Sequence, residues 1–117
     1  MRNDKENIIV GKTFDFALKI IDYSEELRSK HKYEMCSQLF KSGTSIGANV
    51  WEAQNAESNA DFFHKFKISA KEADETTYWL KLCKASEHFP NPDEQLFLEL
   101  TSIVRITSKI ISSAKKR

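Results

Sequence analysis

A chain of 117 residues can bury about two-thirds of its unfolded surface and fold as one domain with no need of a disulfide or structural metal. Eighteen basic residues against seventeen acidic leave a formal charge of +1, so a polyanion is not the obvious partner, and 30% charged with 40% hydrophobic is an ordinary soluble composition. No apolar run approaches the roughly 20 residues that span a bilayer, the start from Met1 to Asn7 is polar, and Cys36 and Cys83 form no C-x-x-C pair, which together point to a reducing cytoplasm.

The spacing predicts a first helix from about Ile8 to Ser29. One of its faces carries Val10, Phe14, Ala17, Leu18 and Ile21, and an adjoining one carries Ile9, Phe16, Ile20, Tyr23 and Leu27. The polar tract from Arg28 to Lys32 breaks the pattern. A second helix then turns Met35, Leu39, Ser42, Gly43, Ile46, Val50 and Ala53 inward, and a turn follows near Asn55 to Asn59. Ser58-x-x-Asp61 opens the third helix, with a hydroxyl placed to accept from a free backbone N–H and a carboxylate at the positive helix end. Its seam is read as Phe62, Phe66, Ser69, Ala70, Ala73, Thr77, Leu80 and Lys84, ending near His88. Both prolines fall in the loop Phe89-Pro90-Asn91-Pro92-Asp93. Asp93 then caps a fourth helix with Leu96, Leu100, Ile103, Thr107, Ile110, Ile111 and Ala114 inward and Lys115, Lys116 and Arg117 at its negative end. Long amphipathic helices joined by short connections predict an all-α, antiparallel up-and-down four-helix bundle over residues 1–117.

A bundle uses only part of each helix. On the third helix Ile68, Trp79 and Leu82, at spacings of eleven and fourteen, fall on the side away from much of the seam, and the first helix is read with a similar surplus in Phe16, Ile20, Tyr23 and Leu27. Contiguous exposed apolar surface marks a partner surface, and a second copy is the simplest partner. These seven residues are the expected oligomer interface, with Trp79 as its anchor.

Chemistry is hard to find. A di-iron bundle wants Glu-x-x-His on two helices, and only Asp61-Phe62-Phe63-His64 comes near, with Asp61 better used as a cap. No Cys/His cluster has zinc-ligand spacing, and Ser45 is not in a G-x-S-x-G elbow. Gly43 and Gly47 lie inside a helix, where Gly costs about 1 kcal/mol against Ala, so they read as a notch for close helix approach. Ser45, Asn49 and Glu52 form a polar flank beside the inward face, expected to hydrogen-bond across helices. Lys71 and Glu75 can pair at i, i+4 for a few tenths of a kcal/mol. For nucleic acid, the available phosphate contacts are Arg28, Lys30 and Lys32 in one cluster and Lys115, Lys116 and Arg117 in another.

The run from Ser42 to Ala53, followed by Asp61-Phe62-Phe63-His64-Lys65 and by Ile68-Ser69-Ala70-Lys71-Glu72-Ala73-Asp74-Glu75-Thr76-Thr77-Tyr78-Trp79-Leu80, resembles the four-helix-bundle proteins linked to intervening sequences of bacterial 23S rRNA genes. The resemblance implies a small bacterial bundle assembled into a ring, a homopentamer, with no established catalytic activity. The link to rRNA is one of gene location. Related accessory variability proteins of diversity-generating retroelements, similar in fold and implied assembly, bind nucleic acid and a reverse transcriptase, but that branch is strongly basic and this chain is nearly neutral. On this resemblance Ser45, Asn49, Glu52, Glu72, Glu75 and Trp79 are architectural or interface positions. The expectation is a non-catalytic homo-oligomeric scaffold or adaptor, with no cofactor, metal, membrane segment or small-molecule substrate inferred. The alternative is a nucleic-acid-binding accessory protein.

Overall fold

The apolar periodicity resolves into four helices in a computed structural model: α1 (Asp4–Ser29), α2 (Tyr33–Ala53), α3 (Asn59–Ala85) and α4 (Glu94–Lys115). The structure describes residues 4–115, with side chains from residue 8 onward. Each helix packs against its neighbours in the cyclic order α1, α2, α3, α4 and back to α1, in a rod of 46 × 20 × 19 Å. Two long-range hydrogen bonds fix the antiparallel order. Tyr23 Oη donates to the Pro90 carbonyl at 2.6 Å, joining the end of α1 to the α3–α4 loop, and Asn59 Nδ2 donates to the Ala114 carbonyl at 3.1 Å, joining the start of α3 to the end of α4.

The helix ends follow local chemistry. Ser58 Oγ accepts from the Asp61 amide at 3.0 Å, and Asp93 Oδ1 accepts from the Gln95 amide at 2.9 Å, so two otherwise unpaired helix donors are satisfied. Helix α1 ends in a Schellman turn, with Lys32 N–H on the Leu27 carbonyl and His31 N–H on the Arg28 carbonyl, both at 2.9 Å. The residue in the left-handed position is His31, at φ 62°, where glycine is the usual occupant.

One continuous buried cluster draws on all four helices. On α2 it takes Leu39, Ser42, Gly43, Ile46, Val50 and Ala53, and on α4 it takes Leu96, Leu100, Ile103, Thr107, Ile110 and Ala114, as the spacing predicts, with Met35 and Ile111 half-buried at its margin. The α3 seam differs from the expected one. It runs Phe62, Phe66, Ser69, Ala73, Thr76, Leu80 and Cys83, alternating steps of four and three, while Ala70 and Thr77 are half-buried and Lys84 is exposed. Both lines through α3 keep a seven-residue repeat, so periodicity alone does not separate them. The choice is fixed across the interface, where Thr76 Oγ1 and Ser42 Oγ lie 2.9 Å apart and Ser69 Oγ donates to the Ile46 carbonyl at 2.9 Å.

The first helix corrects the sequence reading more sharply. Phe16, Ile20 and Leu27 have no exposure and Tyr23 only 5%, so these four are core, and cannot be the surplus apolar surface of α1. The surplus lies instead on the other apolar face, where Phe14 is 57% exposed and Leu18 49%. The true seam is Ile9, Thr13, Phe16, Ile20, Tyr23 and Leu27. Thr13 hides it from a hydropathy pattern, because its hydroxyl is buried by donating to its own helix, at the Ile9 carbonyl.

Candidate interaction surface

The stretch from Ser42 to Ala53 works first as a packing device. A Cβ on Gly43 would lie 2.8 Å from two carbons of Ile20, and one on Gly47 would lie 3.2 Å from the Thr13 carbonyl oxygen. The small residues of α2 therefore receive the Thr13–Ile20 face of α1 at close range, which compensates for glycine's cost of about 1 kcal/mol in a helix. They also decide which face of α1 is left outside.

The polar flank of α2 turns toward α3. Glu52 Oε1 accepts from Lys65 Nζ of α3 at 2.9 Å, so this member of the trio does bridge two helices. Asn49 Nδ2 instead donates back one turn to the Ser45 carbonyl at 2.9 Å, so the expected bridging by Asn49 is replaced by a bond within α2. Nearby on α3 the Glu72 carboxyl is pushed up from its ordinary value, mainly by burial, then by the Glu75 charge, with Lys71 acting against both. Among the described residues of this flank no nucleophile is held beside a base and no paired donors await an oxyanion.

Between α1 and α2 lies a groove of about 260 Å³, walled by Val10, Phe14 and Ala17 on one side and by Thr44, Ala48 and Trp51 on the other, with Thr13 and Gly47 at its floor. Trp51 is 61% exposed and Phe14 57%, so two large apolar side chains stand open to water at this groove. Sequence reasoning missed it because Trp51 was read with its motif and not by its direction. The signal was the glycine pair, since a notch at Gly43 and Gly47 selects the α1 face that enters it.

Of the α3 residues expected at an interface, Leu82 is 37% exposed, whereas Ile68 and Trp79 are half-buried and Trp79 packs against the core cluster. Trp79 Nε1 is shielded from solvent and finds no acceptor among the described residues. The indole thus belongs partly to the protomer's own interior.

Arg28 and Lys30 are exposed beside the α1–α2 turn and Lys32 is half-buried in it, while Lys115 ends α4 at the other end of the 46 Å rod. Lys115 and the Arg28, Lys30 and Lys32 cluster are therefore held apart on one copy. Lys116 and Arg117 lie outside the described residues. Asp61 is engaged at the start of α3, where its Oδ2 accepts from the Glu57 amide, and His64 is exposed one turn on. Among the described residues no group of three or more His, Cys, Asp or Glu could hold a metal ion, and no helix is long and apolar enough to cross a membrane.

The protein-family model described as "23S rRNA-intervening sequence protein" matches residues 5–113. A crystal structure of a protein of unknown function from the S23 ribosomal protein family of Bacteroides thetaiotaomicron is similar to this chain at a TM-score of 0.86 and 38% identity, over 92% of this chain and 98% of that one. A search of curated proteins finds no match.

Proposed function

This chain belongs to the 23S rRNA-intervening sequence protein family, and from that premise we propose that it is a non-catalytic scaffold or adaptor of the bacterial cytoplasm whose working form is a homo-oligomer. The observation that supports this reading is the α1–α2 edge, where Phe14 and Trp51 stand exposed around an apolar groove. A monomer gains nothing by displaying them, and a sister copy seated there would remove them from water at about 25 cal/mol per Å² of apolar area. Five copies is the number the family resemblance implies. Leu82, the exposed member of the α3 set, is a second candidate contact.

Light scattering on the purified protein tests the proposal. A mass of several protomers at micromolar concentration, falling toward that of a single protomer in Phe14→Gln with helicity kept, supports it; a monomeric wild type ends it. The nucleic-acid reading is tested separately by electrophoretic shift with structured RNA across a salt series, where affinity that falls steeply with salt supports it and no binding at low salt defeats it.

A further inference from the structure

The same α1–α2 edge changes character two turns beyond the apolar groove. There a second cavity of about 360 Å³ is lined by Ser24, Glu25 and Arg28 of α1 and by Tyr33, Phe40 and Lys41 among others of α2. Its size falls in the range of small-molecule pockets.

Several independent features converge on this cavity. Tyr33 and Phe40 are 55% and 45% exposed, and they stand seven residues apart, hence on one face of α2. The Tyr33 ring is held: its hydroxyl lies 2.7 Å from His31 Nδ1, and the two rings meet edge-on at 5.7 Å. His31 does this from a backbone conformation that favours glycine. Arg28 and Lys41 are exposed, and neither takes part in an ion pair among the described residues. Ser24 is only 3% exposed, and its hydroxyl has no hydrogen-bond partner among the described residues. A buried hydroxyl without a partner is a cost to the fold, and because Ser24 is among the residues that border the cavity, a ligand that brings a polar group within reach of that hydroxyl removes the cost.

We propose that this cavity binds a small planar anion of nucleotide type, a nucleoside monophosphate or a close chemical relative. An aromatic ring stacks on Tyr33 or Phe40, the anionic group pairs with Arg28 and Lys41, and Glu25 and the Ser24 hydroxyl meet the polar groups between, for which the vicinal hydroxyls of a ribose suit a carboxylate. The site stands on its own observations and does not require self-association.

The test is calorimetric titration at low salt with adenosine 5′-monophosphate, adenosine, inorganic phosphate and a short single-stranded oligoadenylate, with the mass of each sample followed in parallel by light scattering. The expected result is that the monophosphate binds at least about tenfold more tightly than adenosine or phosphate alone, because ring and anion contacts add. Ser24→Ala is expected to weaken it about tenfold while leaving the melting temperature unchanged or higher, an outcome a merely structural serine would not give. Arg28→Gln and Phe40→Ala should each weaken it by a similar factor. No heat from the monophosphate at millimolar concentration overturns the proposal, as does undiminished binding in all three variants. Binding of the oligonucleotide alone rejects a free small ligand in favour of a strand contact. Since mass and heat are read on the same samples, a failure to assemble is not mistaken for a failure to bind.

Discussion

Gly43 and Ile20 are in contact so close that a methyl group on the glycine would come within 2.8 Å of both Cγ1 and Cγ2 of the isoleucine. The pair sets the separation of α1 and α2, and it determines that Ile20 enters the core while Leu18 stays outside, 49% exposed.

Gly43→Ala should therefore destabilise the bundle by about 1–3 kcal/mol despite the better helix propensity of alanine, because a packed interface must move to admit the methyl. Gly11→Ala is the control. Nothing lies within 4 Å of a Cβ at Gly11, so the same substitution should stabilise by about 0.5–1 kcal/mol. Urea denaturation of both variants checks the contrast, and equal effects of one sign would show that the notch does not govern packing.

The two faces of α1 should respond oppositely to truncation. Ile20→Ala removes a side chain with no exposure and should cost about 2–5 kcal/mol, visible as a lower denaturation midpoint. Phe14→Ala, at a residue 57% exposed, should leave the stability of a single protomer within about 0.5 kcal/mol and act on mass instead. A Phe14 variant that unfolds like the Ile20 variant would place Phe14 in the core after all.

Tyr23 makes the stability sensitive to alkali. Burial, with Cys83 beside it and then Glu26, pushes the Tyr23 phenol well above its ordinary value of 10.0. The folded state keeps a proton that the unfolded chain releases, so this contribution is whole below pH 10 and is lost as the pH rises above it. Tyr23→Phe should flatten that loss, and at neutral pH it should cost about 1 kcal/mol for the bond to the Pro90 carbonyl. Thermal melts of both proteins between pH 7 and about pH 11 measure the effect. Parallel curves would remove Tyr23 as its source.

Cys36 and Cys83 are both free and buried, and burial pushes the Cys83 thiol up from its ordinary value, with the Tyr23 hydrogen bond acting the other way. A buried thiol with little thiolate reacts slowly. Both should resist a maleimide or disulfide reagent in native buffer and react fully in denaturant. Prompt labelling of Cys83 in the native state would mean that the end of α3 opens readily.

Glu72 gives a smaller effect of defined sign. Its carboxyl is raised, chiefly by burial, so the folded state holds its proton more tightly, and the charged form is penalised once the pH exceeds the ordinary value of 4.5. Glu72→Gln should raise the melting temperature at pH 7 and have less effect near pH 4, as melts at the two values will show. A destabilised variant at pH 7 would mean that the carboxylate has an uncounted partner.

Much of the fold was legible from residue order. The loop with both prolines, the Ser58 and Asp93 caps, and the buried stripes of α2 and α4 follow from local chemistry and a period set by the α-helix, and the structure places them as the spacing predicts. The buried face of α1 was not legible, because that helix carries two apolar lines with the same repeat; on α3 Phe62, Phe66, Ser69, Ala73 and Leu80 were legible, and Thr76 and Cys83 were not. Phe14 and Phe16 are equal candidates until something outside α1 chooses.

The sequence by itself determined that four amphipathic helices form, which chain segments break them, and that small residues on α2 await a close neighbour, since each of these depends on residues near in the chain. Only the tertiary structure decided that Gly43 receives Ile20, that Thr76 meets Ser42, and hence that Phe14, Leu18 and Trp51 face outward. Those outcomes depend on the fit between surfaces that meet only when the helices pack.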